Sequence, residues 1–324
     1  MKVFVTRKIP EPGLKLLEKH HEIEVNPHDR VLTKNEIIKG VKGKDGLLCL
    51  LTDIIDEKII CSEPRLKMIA NYAVGYNNID VTAASKKGIF VSNTPDVLTD
   101  TTAEMAWALV FAVTRRIVEG DRFTRNGRFK GWAPMLFLGQ DITNKTLGVI
   151  GAGRIGTAFA LKSSGFGMDV LYVSRRKNEI LEKTLNAEKV GLEECLKRSD
   201  VISLHVPLTD STHHLIGENE FNMMKPTAVF INTSRGPVVD ENAMIKALEN
   251  KWIFGAGLDV YECEPDIPRS LMKLDNVVLQ PHIASATIDT RTNMAIMAAE
   301  NMIAGLKGDV PPNCINPEVF KKRI

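Results

Sequence analysis

The chain lacks any apolar run long enough to cross a bilayer: its longest strongly apolar stretch, Met105–Val113, falls well short of the ~20 residues a spanning helix needs. It has little net charge, +2 from 42 Lys and Arg against 40 Asp and Glu, so no polyanion-binding surface and no nucleic-acid partner is expected. Its five cysteines, Cys49, Cys61, Cys195, Cys263 and Cys314, are scattered without a CxxC pair. They read as reduced, and Cys263 has no neighbouring base in sequence to make it a nucleophile. None of the seven histidines stands in a metal-ligand spacing such as HExxH, so no metal site is expected, and the adjacent His213-His214 read as part of a polar loop after Pro207. A secretory signal is also missing. The chain opens directly on a strand-like Lys2-Val3-Phe4-Val5, which points to the cytoplasm.

What remains is the composition of an ordinary globular protein, 44% hydrophobic and 25% charged over 324 residues, long enough for two domains. Strand-like runs at Val3–Thr6, Ile23–Val25, Gly46–Leu50, Lys67–Ala70 and Ile89–Val91 alternate with helical patterns near 12–20, 33–39, 56 onward and 79–87. Such alternation predicts a parallel sheet covered by helices. A helix is expected to open at Thr101, with Thr101 and Glu104 as its capping box. A second alternating series follows: Leu147–Ile150, Asp169–Val173, Val201–Leu204, Ala228–Ile231, Gly255–Asp259 and Val277–Leu279. The last helical pattern, from about Ala286 to Leu306, needs a surface for its Met, Ile and Ala face and is expected to return to the first domain. The fold class is therefore α/β with two doubly wound parallel sheets. Residues 1–98 and 288–324 would form one domain, with 99–287 inserted between them. Ligands of such sheets bind beyond the carboxyl ends of strands, which places the expected site in a cleft.

The inserted domain begins with a fingerprint. Leu147-Gly148-Val149-Ile150 runs into Gly151-Ala152-Gly153-Arg154-Ile155-Gly156, and a helical face with a second strand completes the βαβ unit. The three glycines suit a tight turn, close approach of a pyrophosphate and helix-on-strand packing, so the unit reads as a dinucleotide site. After the second strand an NAD enzyme places an acid on the ribose 2′-hydroxyl, and this chain has none. Ser174-Arg175-Arg176 stand there instead. A hydroxyl and two guanidinium forks suit a 2′-phosphate, so NADP(H) is the preferred cofactor and NAD(H) a possible one.

Three further strand ends each carry a useful side chain. Arg235, in Asn232-Thr233-Ser234-Arg235-Gly236, suits a carboxylate held by two parallel hydrogen bonds, with Gly236 freeing the backbone to turn. His282 follows Pro281, and histidine is the side chain suited to exchange a proton with a carbonyl near neutral pH. Glu264, before Pro265, would orient that imidazole. Each reading has a plainer rival, a surface ion pair or a buried structural histidine; together the three describe proton exchange and carboxylate binding beside a hydride carrier.

The combination of GAGRIG, NTSRGPVVD, GLDVYECEP and LQPHIASAT resembles the D-isomer-specific 2-hydroxyacid dehydrogenase family along essentially the whole chain. The resemblance implies that Arg235 binds the substrate carboxylate, His282 moves the proton, Glu264 pairs with His282, and hydride passes between the nicotinamide and substrate C2. It also implies carboxylate-binding N–H groups at Val74 and Gly75. Cofactor contacts are implied at Thr102, Pro207, Thr233, Ser234, Asp259 and Ala284, besides the glycine loop Gly151, Ala152, Gly153, Arg154, Ile155 and Gly156. The segments around Leu50, Asp96–Glu104 and Trp132-Ala133-Pro134-Met135 are most similar to the glyoxylate/hydroxypyruvate reductase branch, with Leu50 and Trp132 bounding the substrate, Trp132 across a homodimer. Neighbouring branches fit less well, because Asn71 and Val74 lack the charges those branches carry. The implied reaction is NADPH-dependent reduction of a small 2-oxo acid. An NAD-dependent or broader D-2-hydroxyacid dehydrogenase, and a dinucleotide-sensing corepressor, stand as alternatives.

Overall fold

Apolar runs with no polar alternation need cover on both faces, and here they form the central strands of two all-parallel sheets. A computed structural model describes residues 1–322; the final two residues of the expected 288–324 segment lie outside the described ones. The chain forms two compact units, Met1–Leu98 joined by the segment from Ala286, and Thr99–Ser285.

In the first unit β1 (Lys2–Val5), β2 (Glu22–Val25), β3 (Gly46–Leu50), β4 (Met68–Tyr72) and β5 (Phe90–Ser92) lie in the order β2-β1-β3-β4-β5. That is the flavodoxin-like order. Strand β4 is buried at every residue, whereas the edge strand β2, Glu-Ile-Glu-Val, alternates between exposed and half-buried positions. The helix Ile288–Lys307 starts at Thr287, whose hydroxyl accepts from Thr290 N, and stops at Gly308 in the left-handed region. It packs on the Glu11–Glu18 helix and on β4. A Cβ at Gly13 would stand 2.6 Å from the Ala295 backbone, so glycine is what lets these two helices touch.

In the second unit β6 (Thr146–Ile150), β7 (Asp169–Val173), β8 (Glu188–Lys189), β9 (Val201–Leu204), β10 (Val229–Asn232), β11 (Gly255–Leu258) and β12 (Val277–Leu279) lie in the order β12-β11-β10-β9-β6-β7-β8. This is the Rossmann arrangement with one added strand, and the order reverses between β6 and β9. Successive strand residues feed opposite cores: Val149 and Ile231 join one, Ile150 and Phe230 the other. The helix Thr99–Thr114 lies close on β11, where a Cβ at Gly257 would meet Leu109 Cβ at 2.8 Å. This helix begins two residues before the expected Thr101. Thr101 sits inside its first turn and is no N-cap, and Glu104 lies 3.9 Å from Lys162 Nζ instead. Burial of Thr102 and Ala103 against the sheet, rather than a local cap, sets that start. Among the described residues no helix is long and apolar enough to cross a membrane.

Candidate active site

Because all seven strands of the second unit run parallel, their carboxyl ends share one edge, and loops of the expected site leave from it. The backbone ladder continues past the strands: Gly151 N donates to Val173 O (2.9 Å), His205 N to Ile150 O (2.8 Å) and Asp259 N to Asn232 O (3.0 Å). The loops therefore inherit the rigidity of the sheet.

After β6 each fingerprint glycine has a separate reason. Gly151 has φ +101°, and a Cβ there would stand 2.7 Å from the His205 carbonyl. A Cβ at Gly156 would stand 2.1 Å from Gly151 O, so the helix Arg154–Leu161 meets the loop only without a side chain. At Gly153 a Cβ would meet nothing within 4 Å, and no side chain caps the helix that starts there. Open space before uncapped N–H groups is what a pyrophosphate requires. These residues fit the dinucleotide the fingerprint implies. Gly156→Ala is expected to cost roughly 1–3 kcal/mol of stability through overpacking. Gly153→Ala should leave the melting temperature unchanged and weaken dinucleotide binding; a thermal melt and a cofactor titration on both variants check the contrast.

After β7, Ser174 is half-buried and Arg175 and Arg176 are exposed. Among the described residues neither guanidinium is engaged in an ion pair. The segment is pinned by Asn178, which sequence reasoning missed. Its Nδ2 donates to Ala152 O (3.1 Å) and Thr157 Oγ1 (2.7 Å), and its Oδ1 caps the next helix by accepting from Leu181 N (3.1 Å). The arginine loop is thereby tied to the glycine loop. Its one signal in the sequence was an Asn placed to cap a helix.

After β10, Asn232 shapes the turn that carries Arg235. Its Oδ1 accepts from Ser234 N (3.0 Å) and Ser234 Oγ (2.8 Å), and its Nδ2 donates to Arg235 O (3.1 Å). The Arg235 side chain is largely desolvated: burial pushes its pKa down, and the Glu264 charge opposes that shift. Gly236 serves a purpose other than the expected freedom to turn. Its φ is not in the left-handed region, but a Cβ would stand 1.7 Å from Tyr261 O, so glycine permits close approach of the loop after β11. Thr233 Oγ1 is buried with no hydrogen-bond partner among the described residues, a donor left over for a ligand.

After β11 and β12 the proton-handling pair assembles. His282 Nδ1 lies 2.8 Å from Glu264 Oε2, and Glu264 Oε1 accepts from Tyr261 N (3.0 Å). A carboxylate only accepts, so Nδ1 carries the proton and Nε2 is the position left to exchange one. Burial alone would raise the Glu264 carboxyl; the His282 hydrogen bond and charge, the Tyr261 N–H and Arg235 bring it below its usual 4.5. His282 itself takes φ +57°, and the chain beyond it is held by buried Asp259, whose oxygens accept from Ile283 N (2.7 Å) and Ala284 N (2.8 Å). Desolvation raises the Asp259 carboxyl, against those two N–H groups. A depressed Glu264 pKa stabilises the fold fully above about pH 4.5, and that share is lost as pH falls through the folded value. The melting-temperature gap between the protein and Glu264→Gln should accordingly close as pH falls below about 4.5, as pH-dependent melts will read.

Of the remaining expected residues, Thr102 is buried in the first turn of its helix and Pro207 is exposed, its carbonyl accepting from Thr212 Oγ1. Trp132 is 85% exposed in an irregular segment. In the first unit, Leu50 ends β3. Asn93 Nδ2 donates to Val74 O (2.7 Å) and Asn71 Nδ2 to Gly75 O (2.8 Å), which fixes the peptide planes of that turn.

A Rossmann sheet with a fitted dinucleotide loop and a His–Glu pair on the same edge defines a nicotinamide-dependent oxidoreductase. Residues 107–284 match the family model described as D-isomer specific 2-hydroxyacid dehydrogenase, NAD binding domain. The chain is 52% identical to a glyoxylate reductase of Thermococcus litoralis, over 98% of both chains. It is also 52% identical to one of Korarchaeum cryptofilum, over 99% of this chain and 98% of that one. Among solved structures, the TT0316 protein of Thermus thermophilus aligns at TM-score 0.92 and 44% identity over 97% of this chain and all of that one. An NADPH-dependent glyoxylate/hydroxypyruvate reductase of Sinorhizobium meliloti, in complex with NADP and malonate, aligns at TM-score 0.86 and 30% identity over 98% of both. The protein belongs to the D-isomer-specific 2-hydroxyacid dehydrogenase family and is an NAD(P)-dependent oxidoreductase.

Proposed function

We propose that the protein reduces glyoxylate to glycolate and hydroxypyruvate to D-glycerate, with NADPH as its preferred cofactor and NADH as a poorer one. The observation that carries the reading is the His282–Glu264 pair, set on the same sheet edge as a desolvated arginine and an open glycine loop. The names of the full-length relatives support glyoxylate as substrate.

Bound nicotinamide supplies the hydride that goes to substrate C2. Arg235 binds the substrate carboxylate and draws electron density from the adjacent carbonyl, and the Val74 and Gly75 N–H groups are the carboxylate donors that the family resemblance implies. His282 gives its Nε2 proton to the carbonyl oxygen, since Nδ1 is committed to Glu264. Glu264 keeps the ring oriented and balances its charge in the protonated state. Asp259 acts through the backbone, fixing the segment after His282. Gly151, Ala152, Gly153, Arg154, Ile155 and Gly156 hold the diphosphate, and Ser174, Arg175 and Arg176 the 2′-phosphate. Thr102, Pro207, Thr233, Ser234 and Ala284 line the cofactor, and Leu50 and Trp132 bound the substrate.

Trp132, Met135 and Leu138 expose 85%, 75% and 54% of their surface, an apolar face suited to a homodimer. All five cysteines are free, consistent with action in the reducing cytoplasm. Loss of nicotinamide absorbance with glyoxylate, hydroxypyruvate and pyruvate, each with NADPH and NADH, tests the reading. Turnover of glyoxylate with NADPH supports it; absence of turnover with every pairing rejects it in favour of a dinucleotide sensor.

A further inference from the structure

Besides the side chains already given a role, one group of ligand-type residues stands together among the described residues. His213 and His214 lie in the loop after β9, and Glu262 lies in the loop after β11. One nitrogen from each imidazole and one Glu262 oxygen all stand within 4.8 Å of one another. Neighbouring side chains on an extended strand point to opposite sides. Here His214 takes φ +49°, and the two rings stack with centroids 4.1 Å apart and planes 25° from parallel. The left-handed backbone at His214 is what brings both imidazoles to one side.

The third ligand is already oriented. Glu262 Oε2 accepts from Glu241 N at 3.1 Å, and Oε1 faces His214 Nε2 at 2.6 Å. Hydrogen bonds of this kind aim metal-binding carboxylates. His213 is exposed, and among the described residues no hydrogen bond holds its ring. Two imidazoles and a carboxylate are a donor set for zinc and its neighbours rather than for magnesium or calcium, which prefer oxygen alone.

We propose that His213, His214 and Glu262 bind a zinc-class divalent cation, with water completing a tetrahedral shell. Each imidazole binds through a neutral nitrogen lone pair, so the His214 proton facing Glu262 moves to the other ring nitrogen. His214 N also donates to Pro237 O (2.9 Å), in the turn after Arg235, and Glu262 stands two residues before Glu264. An ion here ties these two loops together and stabilises the folded chain without taking part in hydride transfer.

The test uses the full chain, stripped of metal with a chelator, in a Cys61→Ser/Cys263→Ser background that removes the two exposed thiols as competing ligands. Calorimetric titration with zinc sulfate should show one ion per chain, a zinc-dependent rise in melting temperature, and no binding of magnesium chloride. His213→Ala and Glu262→Gln should each weaken zinc binding at least about tenfold while keeping the metal-free melting temperature close to that of the parent. Absence of stoichiometric zinc binding, or an affinity unchanged in either variant, overturns the proposal.

Discussion

Replacing Arg235 by alanine is expected to lower kcat/KM for glyoxylate by roughly a hundred- to ten-thousandfold, the equivalent of about 3–5 kcal/mol for leaving a buried charge without its partner. The size follows from where the side chain sits. An exposed arginine shares its attraction with water and salt and is worth little, but Arg235 is desolvated enough for its own pKa to be pushed down. A carboxylate arriving there meets a guanidinium that has already lost much of its hydration, and both gain from the pairing. Since the interaction tightens as negative charge grows on the carbonyl oxygen, the loss should appear in kcat as well as in KM. Arg235→Lys separates charge from shape: a point charge without the planar fork should recover only part of the activity. Steady-state kinetics on the three proteins, with circular dichroism to confirm folding, decides the matter. An alanine variant that keeps most of its kcat/KM removes Arg235 from the substrate site.

How much of this was legible beforehand depended on the range of each interaction. The glycine loop could be read directly, because its pattern lies within six residues: Gly156 answers to Gly151 in the same turn and Gly153 to open space, while Gly151 combines a left-handed φ with room for the distant His205 carbonyl. Arg235, Glu264 and His282 could be read as strand-end residues, since parallel strands bring all their carboxyl ends to one edge. What escaped were the hydrogen bonds that hold those residues in place. Asn178 reaches back 26 residues to Ala152, and Asp259 reaches forward 24 and 25 residues to Ile283 and Ala284. No local pattern encodes such pairs, because the partner atoms are backbone groups that every residue possesses. Gly236 shows the same limit: a glycine that permits a turn and one that makes room for Tyr261 look alike in a sequence. Thr101 and Glu104 erred the other way, a good local cap overruled by the burial of Thr102 and Ala103.

The second large effect concerns cofactor choice. Arg175→Ala combined with Arg176→Ala is expected to weaken NADPH binding by roughly a hundred- to ten-thousandfold, from about 1.5–3 kcal/mol for each charge-assisted hydrogen bond removed. NADH binding should change little, because NADH has no 2′-phosphate for these side chains to reach. Both arginines are exposed, which would ordinarily make their charges cheap to remove. A dianionic 2′-phosphate differs from a surface carboxylate, however, in offering several acceptor oxygens to two forks at once. Their exposure also means that the preference should shrink as ionic strength rises, whereas binding through the buried part of the site should not. Asn178→Ala supplies a graded control. Freed from Ala152 and Thr157, the arginine loop should lose part of its NADPH preference with both guanidinium groups still present, because the cost is then the entropy of ordering the loop. Fluorescence titrations of the variants with NADPH and NADH at low and high salt give the full comparison. Equal losses for the two cofactors would show that Arg175 and Arg176 do not read the 2′-phosphate.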